Sequence, residues 1–517
     1  MTSFLVNMLR ASAERDPRAE VVLHRERRIT YGEMWSNVLR VAAFLREHGL
    51  EKGQRVALLL ENSPEYIAAY YGTLAAGGVA VALNSAAKMR DLANWLQHSG
   101  AVCLIVDVKH PEFSQITARY DGIGLRLVSV GDGNAPEPSH AHSWDDVLAT
   151  APRVDALLDA AEEDVAAIIY TSGTTGRPKG VTLSHGNLSS NVASILQYLK
   201  LASMDRCLNI LPFYYSYGNS VLHTHLAVGG SLVLENSLAY PHKILERMAE
   251  EKVTGFSGVP STYSLLLNRT RLSDYDLSAL RYMTQAGGAM APAQIKRLKE
   301  ELGHIDFYVM YGQTEATARL TYLPAEKLFD KLGSVGIPIP GVEILICDEH
   351  GNPVPDGVAG EIHARGNNVM RGYWNDPEAS RHVLRNGWLK TGDIAHRDQD
   401  GYFYIEGRRS DMIKSGAHRI NPKEIEEVIA ELDAVAEVAV VGVSDEILGQ
   451  TIKAVIIPRA GAELSAMTVQ AYCHKNLAAY KVPKHIEFVT ELPKTASGKV
   501  MRYLLSDQKA LNQELSL

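Results

Sequence analysis

The chain has 517 residues, of which 46% are apolar and 22% charged, a composition typical of a globular protein of about three domains. Its 52 basic and 60 acidic residues give a net charge of −8, which argues against a protein that binds nucleic acid through bulk positive charge. The four cysteines are far apart, so they exclude a CxxC pair or a zinc-ligand spacing and favour reduced thiols in a cytoplasmic protein. The first sixteen residues lack the basic segment that opens a signal peptide.

Short apolar runs that favour strands alternate with helical stretches over most of the chain. The predicted strands are Val56–Leu60, Val79–Leu83, Val102–Asp107, Leu125–Val130, Ala166–Tyr170, Ser231–Leu234, Tyr282–Gln285 and Phe307–Met310. The predicted helices include Tyr31–His48, Pro241–Glu251, Pro292–Leu302 and one that begins at Ser63-Pro64 and ends before Gly77-Gly78. This alternation predicts a layered α/β fold with largely parallel sheets, and we favour it over a membrane span for the uncharged stretch that begins at Tyr66.

The sequence pattern changes after about residue 335. A turn-rich segment, Gly333–Gly341, precedes the short β-runs Glu343–Cys347, Gly360–Ala364 and Tyr402–Ile405. We therefore predict an N-terminal domain over 1–409 with a β-rich subdomain over about 335–409. From Ser410 onward, the order helix, strand, strand, helix, strand predicts a compact α+β domain over 410–517.

The segment Tyr170-Thr-Ser-Gly-Thr-Thr-Gly-Arg-Pro-Lys-Gly180 follows one of the predicted strands. Its three glycines let backbone N–H groups approach an anion closely, and its hydroxyls and its lysine add donors and positive charge. The spacing does not match the GxxxxGK[ST] motif of a Walker A loop. We predict a phosphate-binding loop whose ligand-binding residues are Thr171, Ser172, Gly173, Thr174, Thr175, Gly176 and Lys179.

This segment resembles the phosphate loop of the AMP-forming adenylating superfamily, which includes acyl-CoA synthetases, aryl-CoA ligases, peptide-synthetase adenylation domains and firefly luciferase. Further matching motifs follow in order, namely Tyr311-Gly-Gln-Thr-Glu-Ala316, Gly360-Glu-Ile-His-Ala-Arg-Gly366, Gly387-Trp-Leu-Lys-Thr-Gly-Asp393, Gly407-Arg-Arg-Ser-Asp-Met-Ile-Lys-Ser-Gly416 and Pro493-Lys-Thr-Ala-Ser-Gly-Lys499. The chain is most similar to the acyl-CoA ligases. The resemblance implies a large N-terminal body of α/β layers with a β-barrel-like unit, and a small mobile α+β lid.

The resemblance also implies a nucleotide site. Tyr311 would stack on adenine, opposite the segment Gly288-Ala289-Met290. Thr314 would contact the α-phosphate. Glu315 would ligate Mg²⁺, since a carboxylate beside phosphate charge requires a cation.

Asp393 would accept hydrogen bonds from two ribose hydroxyls, and Arg408 would make the second ribose contact. Lys414 matches a lysine near the acyl-adenylate, and Lys499 would bridge the substrate carboxylate and the α-phosphate in the transition state. After adenylation, the C-terminal domain would turn about a hinge at Ser410, and Lys499 would withdraw to admit a thiol. Relatives usually have Asp or Lys at the hinge.

The predicted acid pocket surrounds an aromatic gate at Tyr215, where many relatives have His. Its predicted walls are Tyr215, Tyr217, Gly218, Asn219, Val259, Ala286, Gly287, Gly312 and Ala318. Acetate-activating relatives have a bulky Trp at the position of Gly312, so the missing side chain predicts an acid larger than acetate. Since the apolar and aromatic walls carry no formal charge, we expect a medium-chain or aryl acid rather than a dicarboxylate.

The predicted reaction is adenylation of a carboxylic acid by MgATP, followed by transfer of the acyl group to coenzyme A. One alternative acceptor is the phosphopantetheine of an acyl carrier protein, because Ala417 replaces a glycine that many CoA ligases have. An α-amino acid is disfavoured, since Gly218 stands where amino-acid-activating relatives have Asp. A catalytically silent nucleotide-binding protein is disfavoured by Lys499, Glu315 and Asp393 together, and luciferase-like oxygenation stays open. His223 and His225 have no third ligand nearby and are expected to be buried structural residues.

Overall fold

The structure is a computed structural model that describes residues 4–120, 125–131, 141–171, 179–408, 411–415, 418–445, 448–494 and 500–506. Within these residues the helices are α1 Phe4–Arg15, α2 Tyr31–Glu47, α3 Pro64–Ala75, α4 Met89–Ser99, α5 Phe113–Tyr120, α6 Trp144–Ala149, α7 His185–Leu199, α8 Ser216–Val228, α9 Pro241–Glu250, α10 Pro260–Arg269, α11 Pro292–Glu301, α12 Pro377–Val383, α13 Pro422–Ala430 and α14 Ala466–Asn476. Short 3₁₀ turns lie at Val154–Ala156, Leu272–Asp274, Thr314–Ala316, Ala325–Lys327, Ala479–Lys481 and Arg502–Leu504.

The strands form four sheets. In chain order they are β1 Glu20–His24, β2 Arg27–Thr30, β3 Arg55–Leu59, β4 Val79–Ala82, β5 Ala101–Asp107, β6 Arg126–Val130, β7 Ala141–Ser143, β8 Val165–Thr171, β9 Lys179–Ser184, β10 Arg206–Asn209, β11 Ser231–Leu234, β12 Gly255–Gly258, β13 Tyr282–Gln285, β14 Asp306–Tyr311, β15 Thr321–Leu323, β16 Ile337–Pro338, β17 Val342–Cys347, β18 Gly360–Gly366, β19 Gly372–Tyr373, β20 Leu384–Arg385, β21 Trp388–Arg397, β22 Phe403–Arg408, β23 Ile413–Ser415, β24 His418–Ile420, β25 Val435–Asp445, β26 Gly449–Pro458 and β27 His485–Phe488.

Two large sheets form the body of the protein. One has the order β19-β9-β8-β4-β3-β5-β6-β7, and its strands from β8 to β7 are parallel. The other has the order β16-β15-β14-β13-β12-β10-β11-β1-β2, and its strands from β14 to β1 are parallel. The predicted layered α/β fold with largely parallel sheets is confirmed.

The two smaller sheets follow residue 335. The first, β17-β18-β21-β20 with β22 paired to β21, is antiparallel and supplies the predicted β-rich unit. The second, β24-β23-β26-β25 with β27 on β26, packs with α13 and α14 around a separate apolar core. The predicted domain boundary falls at residues 409 and 410, outside the described residues, and stays a prediction.

Helix α3 illustrates how local sequence sets an element. Ser63 caps it, because its hydroxyl accepts a hydrogen bond from the Tyr66 backbone N–H, and Pro64 occupies the first turn. The helix ends at Ala75, and Gly77 follows with a positive φ of 76°. The predicted start and stop are confirmed. No helix among the described residues is long and apolar enough to cross a membrane.

Candidate functional site

A large cavity of about 1570 Å³ lies beyond the carboxyl ends of the parallel strands β12, β13 and β14. Predicted site residues from separate segments line it, namely Thr171, Lys179, Tyr215, Tyr217, Gly218, Val259, Ala286, Gly287, Gly312, Thr314, Glu315, Ala318 and Arg408. The fold therefore brings these predicted residues together in one cavity, as the loops at the strand ends of an open α/β sheet commonly do.

Several predicted residues lie outside the described part of the structure. These are Ser172, Gly173, Thr174, Thr175 and Gly176 of the phosphate loop, the hinge residue Ser410, and Lys499. Lys414 lies on β23, where its backbone pairs with Arg419, and its side chain is not described. The roles of these residues stay predictions.

Glu315 is held by an aromatic neighbour from the β-rich side of the cavity. The hydroxyl of Tyr373 donates to Glu315 Oε1 at 2.9 Å, and Lys179 Nζ lies 4.8 Å from the centroid of the Tyr373 ring. Burial, reinforced by Glu315, raises the pKa of Tyr373 above its usual value, so the phenol stays a donor at neutral pH. Among the described residues Tyr373 is the hydrogen-bond partner of this carboxylate, and it contacts Oε1. The other oxygen, Oε2, is therefore available to a cation.

Thr314 begins a 3₁₀ turn, and the side chain of Asn368 holds the loop that follows. Asn368 Nδ2 donates to the carbonyl oxygens of Ala316 at 3.1 Å and Arg319 at 2.8 Å. The Thr314 hydroxyl lies 3.2 Å from that of Ser216, at the start of α8. A cavity-lining hydroxyl with a fixed partner is suited to contact a phosphate oxygen.

Asp393 is 5% exposed and is hydrogen-bonded to Arg408, which lines the cavity. Its Oδ2 accepts from the Tyr311 hydroxyl at 2.7 Å, and its Oδ1 accepts from Arg408 Nε at 3.1 Å. Although burial disfavours the charged guanidinium, Asp393 and Asp411 hold the pKa of Arg408 above its usual value. The predicted adenine-stacking residue and the two predicted ribose contacts therefore form one hydrogen-bonded unit.

Among the predicted residues whose side chains are described, those that the cavity lining does not include are Asn219, Gly288, Ala289, Met290, Tyr311 and Asp393. Asn219 follows Gly218 in α8, but a helix turns by about 100° per residue, so its side chain lies beside Tyr70 and not in the cavity. It was predicted as a pocket wall, and the structure does not bring its side chain to the cavity lining. Met290 is buried in the core around Ile295, whereas Gly288 and Ala289 are exposed beside it.

Gly312 lines the cavity, but it does not leave free volume for the substrate, as the sequence suggested. A Cβ at this position would lie closer than 3.0 Å to the Ala318 carbonyl oxygen and to the Arg319 Cα, so the glycine permits two backbone segments to meet. Gly218 is constrained in the same way by the carbonyl oxygens of Leu211 and Pro212. No acidic side chain fits there to pair with an α-ammonium group.

Sequence reasoning missed several charged residues of the cavity lining, namely Glu61, Arg319, Asp348, Glu349, Glu361 and Lys390. Arg319 lines the cavity, and its guanidinium carbon lies 4.2 Å from the centroid of the Tyr217 ring. The predicted acid-pocket walls are themselves uncharged, but the cavity as a whole has charged residues in its lining. Arg319 follows the Tyr311–Ala316 motif by three residues, but the sequence contains no signal of its burial.

His223 and His225 are buried in α8, as predicted. The ring of His223 is hydrogen-bonded to Tyr71 at 2.8 Å, and that of His225 to Tyr282 at 2.8 Å. Burial lowers the pKa of both imidazoles, that of His223 to about 3. Among the described residues, no group of three or more His, Cys, Asp or Glu side chains could hold a metal ion. The histidines are structural.

Comparison with known proteins shows the family to which this chain belongs. The model of the AMP-binding enzymes matches residues 9–374, and the model of the AMP-binding enzyme C-terminal domain matches residues 424–499. A feruloyl-CoA synthase of Amycolatopsis sp is 36% identical over 490 residues, which cover 95% of this chain and 96% of that protein.

Two solved structures have the same fold over almost their whole length. The o-succinylbenzoate CoA synthetase MenE from Bacillus subtilis, in complex with its acyl-adenylate intermediate OSB-AMP, has a TM-score of 0.86 at 29% identity, with 97% of this chain and 98% of that chain covered. ATP-bound MatB from Rhodopseudomonas palustris has a TM-score of 0.89 at 31% identity, with 98% of each chain covered.

Proposed function

This chain belongs to the family of AMP-binding enzymes, and we propose that its cavity activates a carboxylic acid larger than acetate as the acyl-adenylate. The chain is an ATP-dependent acid–thiol ligase, which adenylates a carboxylic acid with release of pyrophosphate and transfers the acyl group to coenzyme A. The named acids of its relatives differ, ferulate in one and o-succinylbenzoate in another, so family membership leaves the acid open.

The observation that carries the residue assignments is the meeting of distant motifs in one cavity. Lys179, the adjacent pair Thr314 and Glu315, and Arg408 come from three segments and all line it. Two anions, the acid and the α-phosphate, must meet in the adenylation step, and positive charge and hydroxyl donors lower the cost of that approach. Lys179, Thr314 and, from outside the described residues, Lys499 supply them.

Glu315 is the proposed Mg²⁺ ligand. Mg²⁺ is commonly bound through one or two carboxylates together with substrate phosphates, so a single carboxylate with one open oxygen fits it. When bound, the ion neutralises phosphate charge. Tyr373 orients this carboxylate by donating to Oε1.

Asp393, Tyr311 and Arg408 are proposed to bind the nucleoside. A carboxylate has about four lone-pair directions, so Asp393 can accept from ribose hydroxyls while it keeps its two protein donors. The protein donors fix the carboxylate in place before ATP arrives, which lowers the cost of binding. Ala286, Gly287 and Ala318 are small walls that leave room for the acyl group.

The test is product analysis with ATP, Mg²⁺ and a panel of carboxylic acids, with and without coenzyme A. We expect AMP and pyrophosphate from the responsive acid and a thioester when coenzyme A is added. Release of ADP and phosphate would exclude adenylation. Replacement of coenzyme A by a phosphopantetheinylated carrier protein decides the acceptor, and Glu315→Gln is the matched inactive control.

A further inference from the structure

Alternating charges extend from the nucleotide side of the cavity into the predicted C-terminal domain. The first pair is the hydrogen bond that Arg408 Nε donates to Asp393 at 3.1 Å. Asp411 lies next to this pair, because its backbone N–H donates to the Arg408 carbonyl oxygen at 3.0 Å and its charge helps to hold the pKa of Arg408 above its usual value. We call the whole set the charge line, and its members in order are Asp393, Arg408, Asp411, Arg502 and Glu426.

Arg502 connects the last two carboxylates of the charge line. Its Nη1 lies 3.5 Å from Asp411 Oδ2, and its Nη2 donates to both oxygens of Glu426, at 2.6 and 2.8 Å. Glu426 lies on α13, where it also accepts from the Val440 backbone N–H at 2.7 Å. Although burial disfavours the charged guanidinium, Glu426 holds the pKa of Arg502 above its usual value. Arg502 is therefore a fixed positive charge beside Asp411.

Arg408 has two carboxylates near it, and they have different places in the molecule. Asp393 is the proposed ribose contact, whereas Asp411 belongs to the predicted C-terminal domain. A guanidinium that turned from Asp393 toward Asp411 would break the bond that fixes the ribose-binding carboxylate. Arg502 opposes this turn in two ways, because it neutralises Asp411 and because its own positive charge repels Arg408.

We propose that Arg502 is a positioning residue for the nucleotide site, because it neutralises Asp411 and so keeps Arg408 on Asp393 when ATP binds. This inference rests on the proposed function, since it takes Asp393 and Arg408 as nucleoside contacts. It adds that the affinity for ATP depends on a side chain of the predicted C-terminal domain, which acts through Asp411 and Arg408 and not as a ligand of the nucleotide.

The test is calorimetric titration of the intact chain with ATP and Mg²⁺ in the absence of acid. Arg502→Met removes the charge and keeps an unbranched side chain, so we expect the Kd for ATP to rise by about 5-fold. This is the size of a partly exposed ion pair, and the side chains of Arg502 and Asp411 are 31% and 27% exposed. Arg502→Lys keeps the charge and should retain most of the affinity.

A second substitution separates positioning from a merely structural role. Asp411→Asn removes the charge that competes for Arg408, so the double variant of Asp411→Asn and Arg502→Met should bind ATP about as tightly as the parent chain. Loss of a structural support would not be repaired by a second loss. Lys481→Met is the matched control, because Lys481 pairs at 2.6 Å with Glu424, which lies on the same helix as Glu426, and it should keep the Kd.

An unchanged Kd in folded Arg502→Met, or a double variant that binds ATP as weakly as Arg502→Met, would overturn the proposal. If Arg502→Met does not fold, Asp411→Asn alone decides, because we expect its affinity for ATP to equal or exceed that of the parent chain, and a loss would overturn the proposal.

Asp393→Asn distinguishes failure of this inference from failure of the proposed function. If Asp393→Asn weakens ATP binding and Arg502→Met does not, only the role of Arg502 is refuted. If Asp393→Asn also leaves the Kd unchanged, the proposed nucleoside contacts are wrong, and this inference falls with them.

Discussion

Replacement of Asp393 by Asn should weaken ATP binding. The carboxylate is 5% exposed and accepts from Tyr311 and Arg408, one donor on each oxygen. Asn keeps one oxygen, but its amide nitrogen would face a donor and lose that bond. The neutral amide also lacks the charge that strengthens a contact with a ribose hydroxyl. Hydrogen bonds to charged groups each contribute about 1.5–3 kcal/mol, so the loss of one such contact predicts a Kd for ATP raised by about 10- to 100-fold.

The assay is calorimetric titration with ATP and Mg²⁺ in the absence of acid, next to urea unfolding. Asp398→Asn is the matched control, because Asp398 directly follows β21 and pairs with Lys331 at 2.8 Å instead of with Tyr311 and Arg408. The control should keep the affinity for ATP. An unchanged Kd in a folded Asp393→Asn protein would mean that the ribose is bound elsewhere.

The remaining predictions concern the phosphate side and the floor of the cavity. Lys499→Ala should slow acyl-AMP formation by about 10²–10³-fold and affect thioester formation from supplied acyl-AMP far less; comparable losses in both half-reactions would refute a withdrawing lysine. Tyr373→Phe should raise the Mg²⁺ concentration needed for half-maximal activity by about 10-fold or more, because it frees the Glu315 carboxylate that it now orients; an unchanged magnesium titration would contradict this. Gly312→Trp should fail to fold rather than shift specificity toward short acids, since even a Cβ meets the Ala318 carbonyl; a folded variant that prefers acetate would show the floor is open after all.

The strands that could be predicted have short apolar runs bounded by turn residues. Ser231–Leu234 and Tyr282–Gln285 match β11 and β13 to the residue. Helix α8 gave no comparable signal. Its residues 217–226 are all buried, so it lacks the polar face that makes helical periodicity visible in a sequence.

Site residues that belong to sequence motifs were predicted, whereas those that only the packing brings to the site were missed. The spacing of Thr314 and Glu315 within a known motif suffices to place them on the cavity. The small size of Gly312 suggested free volume, but the backbone of Ala318 fills that space. A close approach of two chain segments cannot be recognised from the amino-acid sequence of either segment. Arg319 would pass for a surface residue in the sequence, and only its packing against Tyr217 identifies it as buried.

The buried imidazole of His223 predicts a loss of stability in mild acid. Burial lowers its pKa to about 3, whereas an accessible histidine has a pKa of about 6.5. Between these values the unfolded chain binds a proton that the folded chain does not, so the free energy of unfolding falls as the pH falls. The slope from this one group approaches about 1.4 kcal/mol per pH unit. The window is the range from about pH 6.5 downward, and His185, whose pKa burial lowers to about 4, adds a second contribution within it.

Urea unfolding at pH 7 and at pH 5 measures this dependence. His223→Phe should reduce the difference between the two pH values, because it removes the titrating group and keeps an aromatic ring beside Tyr70, 5.2 Å away. Tyr71→Phe is the control that separates burial from hydrogen bonding. It removes the partner of the imidazole but leaves the ring buried, so it should lower stability at both pH values and keep the full pH dependence. Loss of the pH dependence in Tyr71→Phe, or its persistence in His223→Phe, would show that burial of this histidine is not its cause.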